Sequence, residues 1–343
     1  MMQRTIVKGQ VIRLLPCLLI LLFHSMAVFS QPFLTADGEV HSIKALEETY
    51  QDFNIPEDTE FGQFNLEIEG ADGGWIEYTY LDRFGTKRTQ RVNGGEGATV
   101  SATYRIGYGG GQLPPRSVLR LIIGNRGERA KFDLLSEGGY GAGGGGGSAA
   151  LLSKDNGATW QIIMVAGGGG GGGVDTKEID TKYNPGLPGS SGEDGLGGEH
   201  SKMEAMPGGI RGSGGQSSGI TGGGGGVYED GQHETGALYY GNAGWKDHKL
   251  SGQPLGGLGG TEKDCYNGGW GFGGGGSGAE GGGGGGGYSG GGGGTPGFGG
   301  GGGGSHINSF TAQPLTVSKK QNGDTNNPEH GRVRYQFAKT RQD

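Results

Sequence analysis

WQIIMVAGGGGGGGV, residues 160–174, joins a continuous apolar run to seven consecutive glycines, Gly167–Gly173. The apolar run has the length and composition of a buried β-strand. A bare glycine run is costly to order, because fixing one backbone residue costs roughly 1–2 kcal/mol and glycine loses more freedom than any other residue. The fold therefore depends on what holds these glycines in place.

Glycine runs recur along the chain, which has 343 residues, 87 of them glycine, and is only 31% hydrophobic. That composition alone is typical of low-complexity disorder. A glycine chain can instead form the left-handed polyglycine II helix, with three residues per turn, and several such helices in parallel packing can pair their outward-pointing N–H and C=O groups because no Cβ intervenes. We therefore expect an ordered bundle. The runs of four or more glycines are 143–147, 167–173, 222–226, 273–276, 281–287, 290–294 and 299–304.

Aromatic side chains stand between the glycine runs, where a flexible linker would not need them. Their simplest role is to cap the glycine array and shield it from water. The alternative is that they stack against a ligand. These residues are Tyr140, Trp245, Trp270, Phe272, Tyr288 and Phe298.

Alternating hydrophobicity indicates half-buried antiparallel strands on both sides of the glycine-rich region. Phe64–Ile68 and Val100–Ile106 alternate, apolar residues recur at every second position in Leu119, Leu121 and Ile123, and Arg332–Phe337 alternates again near the end of the chain. The glycine-rich region is therefore predicted to be inserted into a sheet whose two halves come from both ends of the chain.

Two local patterns add detail. Two apolar runs joined through Asn156-Gly157 predict a β-hairpin just before the seven glycines. In the segment before the first alternating strand, Ile43, Leu46, Tyr50 and Phe53 recur at helical spacing and predict a helix-like stretch.

The N-terminus is typical of a secretory signal peptide. Basic residues precede the apolar core Leu14–Phe23, small residues suit a cleavage point before Gln31, and the core is too short to span a bilayer. We therefore expect a secreted, extracellular protein without a membrane span. Loss of three basic residues with this peptide takes the formal charge from −7 to −10, which argues against nucleic acid as a partner.

Cysteine usage leaves one question open. Cys17 lies in the predicted signal peptide, so Cys265 remains alone in the mature chain. It is either a buried thiol or a disulfide bond to another chain.

Catalytic motifs do not occur in the context that their chemistry needs. Gly139, Gly141 and Gly144 match a dinucleotide fingerprint, but a hairpin follows them. Residues 287–291 match the serine elbow of hydrolases without a strand and helix around them. The polar loop at 322–331 fails the EF-hand pattern, and His200, His233, His248, His306 and His330 lack local zinc spacing. We expect no catalytic, cofactor or metal site and no enzyme activity.

Five segments in order resemble the glycine-rich extracellular domain of the anaplastic lymphoma kinase and leukocyte tyrosine kinase receptors. The resemblance runs from Pro56 to Phe337, and its most specific element is the hairpin ending in Ala166 before the glycines. The segments are NIPEDTEFGQFNLEIEGADGG (54–74), GGEGATVSATYRI (94–106), VLRLIIGNRGE (118–128), GGYGAGGGGGSAALLSKDNGATWQIIMVAGGGGGGG (138–173) and CYNGGWGFGGGGSGAEGGGGGGGYSGGGG (265–293).

The resemblance implies a mainly β protein, a jelly-roll-like antiparallel β-sandwich similar to tumour-necrosis-factor folds with an inserted bundle of polyglycine II helices. It also implies recognition of protein ligands outside the cell, whereas the kinase motifs are missing, so only the binding scaffold carries over. The expected parts are a signal peptide at 1–30, a lead-in segment at 31–56, a β-sandwich from 57–136 and 305–338, a glycine-rich insertion at 137–304 and a tail at 339–343.

We accordingly expect a secreted, non-enzymatic recognition or adhesion module whose partner is an extracellular protein or glycan. The alternative is a structural extracellular protein, such as a matrix component or an ice-binding surface. Charged residues between the glycine runs, among them Glu178, Lys182 and Lys246, favour recognition over a regular ice-binding face.

Overall fold

The computed structural model describes residues 31–339 apart from 58–59, 83, 134–137, 177–181, 199–205, 218–220, 233–238, 247–251, 262–263 and 326. The predicted signal peptide, and the predicted tail except for Lys339, lie outside the described residues. All regular structure in the described residues is β. The strands are β1 His41–Lys44, β2 Gln51–Asn54, β3 Gln63–Glu69, β4 Ile76–Leu81, β5 Lys87–Val92, β6 Gly94–Gly95, β7 Thr99–Arg105, β8 Val118–Ile122, β9 Ala130–Phe132, β10 Gly139–Gly141, β11 Ser148–Ser153, β12 Gln161–Ala166, β13 Gly173–Asp175, β14 Lys182–Asn184, β15 His306–Ile307, β16 Pro314–Lys320, β17 Asp324–Thr325 and β18 Arg332–Ala338.

Two five-stranded antiparallel sheets face each other across the main core and form a β-sandwich. The first sheet has the order β1-β18-β3-β7-β16 and the second has the order β15-β12-β11-β8-β2. Strand β18 pairs with β3 along seven residues, from Arg332 opposite Glu69 to Ala338 opposite Gln63. The prediction that the two ends of the chain share one sheet is confirmed. The core between the sheets contains Phe64, Leu66, Tyr104 and Phe337 from the first sheet and Leu119, Leu121, Leu152 and Ile163 from the second.

The two sheets differ in hydrophobic pattern because they differ in what covers them. In the first sheet, β3 and β18 alternate buried and half-buried side chains, as expected when one face is open to solvent. In the second sheet, every residue of β8 and β11 is buried. Its outer face packs against Val227, Trp270 and Phe272, which come from the glycine-rich region. Burial on both faces explains the continuous apolar runs that precede the glycines.

The seven-glycine run is surrounded by backbone on all sides and buried throughout. Its amide donors change partner with a repeat of three residues. Gly168 and Gly171 donate to the carbonyls of Gly286 and Gly283, at 2.7 and 2.8 Å. The run's carbonyls repeat in the same way. Those of residues 167 and 170 accept from Ala98 and Gly95, those of 168 and 171 from Gly303 and Gly300, and those of 169 and 172 from Gly145 and Ala142.

The neighbouring backbones run in both directions, which differs from the parallel packing that the sequence analysis expected. Gly169 and Gly172 donate to Ala71 and Gly74, so that segment runs parallel to the glycine run. The segments 281–287 and 299–304 run antiparallel to the glycine run, because successive residues of the run bond to partners with decreasing residue numbers. Groups that project outward every third residue can pair with a neighbour of either direction.

The prediction of a helix-like stretch at Ile43–Phe53 is wrong. Residues 41–44 form β1 and pair with β18, whereas residues 51–54 form β2 and pair with β8. Glu48 between them has a positive φ of 43°, which a helix does not contain. Pairing with two different sheets overrides the helical spacing of the side chains.

The predicted hairpin is confirmed. Strands β11 and β12 pair, and Asn156 and Gly157 between them both have positive φ, at 56° and 88°, as the Asn-Gly signal requires. This hairpin falls within the predicted insertion at 137–304, yet its strands belong to the second sheet of the sandwich. The domain boundaries as a whole stay a prediction.

A buried arginine fastens the glycine-rich region to the second sheet. The Arg120 guanidinium on β8 donates two hydrogen bonds of 2.8 Å to the Asp52 carboxylate. It stacks over the rings of Tyr50 and Trp160, at 3.6 and 4.1 Å from their centroids. It also donates to the Pro254 carbonyl at 3.1 Å. The apolar strand thus carries one charge that is paired, stacked and used as a tether.

Candidate functional site

The two motifs with a catalytic spacing lie in a short strand and in a bend. Gly139–Gly141 forms β10, which pairs with β13 in a small sheet. Ser289, in the segment that matches a serine elbow, is buried, and its hydroxyl accepts a hydrogen bond from the Gly212 amide at 3.0 Å. Neither segment leads into a helix within the described residues, as nucleotide binding and a nucleophile elbow would require.

Of the five histidines considered as metal ligands, the two within the described residues, His306 and His330, have different surroundings. His306 contacts Glu193 at 2.7 Å and stacks on Tyr288, with ring centroids 4.2 Å apart, and His330 lies in a groove described below. No group of three metal-ligating side chains occurs in the part of the chain that the structure describes. His200, His233 and His248 lie outside the described residues.

The aromatic residues between the glycine runs are mostly packed inside the protein. Trp270, Phe272 and Phe298 are buried. Trp245 and Tyr288 pack against the cluster on the outer face of the second sheet, and Tyr140 packs in a third cluster. Cys265 is half-buried, and the choice between a buried thiol and an interchain bond stays a prediction.

A polar groove lies on both sides of His330, and we call it the His330 groove. Its first cavity, of about 500 Å³, is lined by residues from β1, from the loop after β8 and from the loop before β18. Its second cavity, of about 400 Å³, shares Arg126 and His330 with the first and extends along residues 125–129 and 267–270. Four segments that are far apart in sequence therefore meet at one surface depression.

Backbone hydrogen bonds fix the loop that carries His330. The Asp72 amide donates to the Glu329 carbonyl at 3.0 Å, and the Glu329 amide donates to the Asp72 carboxylate at 2.9 Å. The Gly331 amide donates to the Gly124 carbonyl at 2.9 Å. Both ends of this short loop are thus tied to segments that lead into the glycine array.

The glycine array in turn holds the walls of the groove. The Ala71 amide donates to the Gly146 carbonyl, and the Gly146 amide donates to the Asn125 carbonyl, each at 3.0 Å. The Asn125 amide donates to the Trp270 carbonyl at 2.6 Å. The backbones approach so closely that a Cβ on Gly124 would lie 2.2 Å from the Gly146 oxygen. Glycine at these positions is what lets the walls pack against the array.

The carboxyl of Asp72 sits behind the loop in a low-dielectric environment. Burial raises the pKa of the Asp72 carboxyl from 3.8 to about 6, and the charges of Glu96 and Glu329 act in the same direction. Its hydrogen bonds from the amides of Glu329 and Gly97 oppose this rise in pKa. Asp72 therefore changes charge near pH 6 while it holds the loop.

His330 is neutral at physiological pH. Burial lowers the pKa of its imidazole below the usual 6.5, and the charge of Arg126 acts in the same direction. The Arg126 amide donates to its Nδ1 at 3.4 Å, so the neutral ring carries its proton on Nε2. The groove thus offers one uncharged N–H donor beside a guanidinium.

The groove contains three exposed cations among the described residues. Lys44, Arg126 and Arg129 are exposed, and none of them forms an ion pair within the described residues. In contrast, Arg332 and Arg334 on the neighbouring strand pair with Glu69 and Glu67. The Arg126 guanidinium makes one hydrogen bond, of 3.3 Å, to the Pro328 carbonyl. Most of its donors therefore remain available.

Sequence reasoning missed these groove residues because they come from distant segments, which the pairing of β1 with β18 and hydrogen bonds between loops bring together. The one local signal is GNRGER at 124–129, where two arginines follow a strand and are flanked by glycines. The polar loop at 322–331, predicted to connect the last strands, does run between β16 and β18.

Neither of two comparisons with known proteins gives a match. A scan against protein-family models finds none that matches the chain, and a search of curated proteins finds no significant similarity. Within the described residues there is no helix of the length and apolar character needed to cross a membrane.

Proposed function

We propose that the chain is a secreted, non-enzymatic recognition or adhesion module of the extracellular space, related to the glycine-rich ligand-binding domain of the receptor tyrosine kinases that it resembles. The supporting site is the His330 groove, whose exposed cations and histidine are presented on fixed backbone. Exposed polar groups on a rigid scaffold are typical of binding sites.

We further propose that the glycine runs form a polyglycine II bundle inserted in a jelly-roll-like sandwich. The supporting observation is the repeat of three in the backbone hydrogen bonds. In the run 281–287, residues 283 and 286 donate to 142 and 145, residues 284 and 287 donate to 222 and 225, and residues 282 and 285 donate to 298 and 301. Three residues per turn is the repeat of this helix.

Rigidity is the physical reason to build a binding module in this way. A flexible loop loses conformational entropy when it binds, which weakens affinity. Here the groove segments are hydrogen-bonded to glycine runs that are themselves bonded to several neighbours, as with the bonds that join Ala71, Gly146 and Asn125. Much of the ordering cost is therefore met during folding. These hydrogen bonds between the groove segments and the glycine runs are the single observation that carries the proposal.

The test is binding by the secreted full chain. The complete sequence is expressed in a secretory host, the product is purified from the medium, and its saturable binding to an extracellular matrix preparation is measured before and after protease treatment. We expect export and saturable binding. Retention in the cytoplasm, or a purified protein that only self-associates without saturable binding, would contradict the recognition function, and the second result would favour a structural role.

A further inference from the structure

We propose that the first cavity of the His330 groove binds the acidic groups of an anionic polysaccharide, with Lys44 and Arg126 as the residues that contact the carboxylates or sulfates. This inference rests on the proposed recognition function and names the ligand class of the same groove. It is carried by the charges and the lining of that cavity.

Positively charged side chains outnumber negatively charged ones in the lining of the first cavity. Lys44, Arg126 and Arg332 line it, and Glu329 is the carboxylate among its lining residues. Glu69 neutralises Arg332, and the two remaining cations, Lys44 and Arg126, outnumber the single carboxylate of Glu329. The whole chain has a formal charge of −7, so a local excess of positive charge is unusual here. Such an arrangement attracts an anion.

The geometry of the cations suits oxyanions. Lys44 ends β1 at the rim of the first sheet, and Arg126 stands on the loop after β8, so the two approach the cavity from different elements. A guanidinium with free donors binds carboxylate or sulfate oxygens in a bidentate manner. The Nε2–H of neutral His330 adds an uncharged donor in the same cavity.

The polar lining favours a saccharide over a protein. Protein interfaces concentrate their affinity in buried aromatic and apolar anchors. None of the large exposed apolar side chains of the described residues lines either cavity of this groove. The hydroxyl of Ser42 and the amide of Asn327 are present instead. These groups match sugar hydroxyls better than they match an apolar anchor.

The adjoining second cavity extends the site. It shares Arg126 with the first cavity and adds Arg129 together with the carboxylates of Glu48 and Glu128. A polymer can follow this surface from one cavity to the next, with its acidic groups in the first cavity and its neutral hydroxyls along the more balanced second one. A single small anion would fill only part of the groove.

The experiment measures binding of four polysaccharides to the secreted full chain by isothermal titration calorimetry at about 0.15 M salt. Heparin carries sulfates and carboxylates, polygalacturonate carries carboxylates, dextran sulfate carries sulfates, and dextran is neutral. The test variant is the double substitution Lys44→Gln and Arg126→Gln. The matched control is Lys154→Gln with Lys319→Gln, which removes two exposed charges outside the groove.

We expect at least one acidic polysaccharide to bind and dextran not to bind. The groove variant should weaken that binding at least tenfold, the control should stay within twofold, and both should keep the unfolding midpoint of the wild type. The acidic arm that binds best identifies the preferred group. Equal weakening in both variants would overturn the inference, because it would show non-specific charge attraction.

Two further outcomes separate this inference from the proposed function. If no polysaccharide binds while the matrix preparation is bound saturably, the acidic ligand is refuted and the recognition function stands. If protease treatment abolishes the matrix binding and no polysaccharide binds in the calorimetry, the partner is a protein and the saccharide inference is equally refuted. If neither experiment detects binding, both proposals fail.

Discussion

Adding a single methyl group at Gly170, inside the buried glycine run, should destabilise the packed glycine segments. A Cβ built on Gly170 would lie 2.0 Å from the Gly300 oxygen and 2.4 Å from the Gly300 carbon. Real Cβ atoms essentially never approach closer than 3.0 Å. Gly170→Ala therefore forces the two backbones apart by about 1 Å or more, since neither contact atom is a flexible side chain.

The displacement acts on hydrogen bonds as well as on packing. The Gly300 carbonyl accepts from the Leu187 amide and the Gly300 amide donates to the Gly171 carbonyl, each at 2.9 Å. A shift of about 1 Å takes both bonds beyond normal length. Overpacking costs about 1–3 kcal/mol, and each buried group left unsatisfied costs about 1–3 kcal/mol more. We expect a loss of at least about 3 kcal/mol in the free energy of unfolding.

The assay is urea unfolding of the wild type, Gly170→Ala and a matched glycine control. Gly110 is exposed, and a Cβ there would meet nothing within 4 Å. Gly110→Ala should therefore leave the midpoint unchanged or raise it slightly, by restricting the unfolded chain. If Gly170→Ala and Gly110→Ala unfold at the same urea concentration, the reasoning about close backbone packing is refuted.

Three further substitutions test other parts of the structure by their free energies of unfolding. The buried Tyr104 hydroxyl has no hydrogen-bond partner within the described structure, so Tyr104→Phe should be neutral or stabilising by about 1 kcal/mol, and a loss above about 1 kcal/mol would contradict this. Arg120→Met leaves Asp52 unpaired and nearly buried, so a loss of about 3–5 kcal/mol is expected, and a loss below about 1 kcal/mol would refute the tether. Because the Asp72 carboxyl has a higher pKa in the folded state, about 6 against 3.8, its contribution to stability is full at low pH and is lost as pH rises through 6. The free energy of unfolding of the wild type, relative to that of Asp72→Asn, should fall by about 2–3 kcal/mol between pH 4 and pH 7. A difference that stays constant with pH would contradict the raised pKa of Asp72.

The sandwich was predictable because its strands carry their own signal. Strand β3 alternates apolar and polar residues, and the continuous apolar run of β12 reflects burial on both faces. The Asn156-Gly157 turn is likewise local. Such patterns depend on each strand's immediate surroundings, which the residue types record directly.

Other features were not predictable because distant pairing decides them. Residues 43–53 have helical spacing, but the backbone at each end pairs with a different sheet. The sheet formed by β5, β4 and β9 was not predicted. Strand β5 is mostly exposed and charged, and β4 also pairs in parallel with β9, which is distant in sequence. The groove escaped notice for the same reason, because Lys44 reaches it through the pairing of β1 with β18, and Arg126 and His330 meet through hydrogen bonds between distant loops.

Hydrogen exchange of the amides in Gly167–Gly173 tests the central claim, that the glycine runs are ordered by one another, most directly. Every amide from Gly168 to Gly172 donates to a backbone carbonyl of a neighbouring segment, at 2.7–3.0 Å. Native-state exchange followed by NMR or mass spectrometry should therefore show protection close to that of the buried strands β3 and β7. Exchange of these amides at random-coil rates, while β3 and β7 remain protected, would contradict the account.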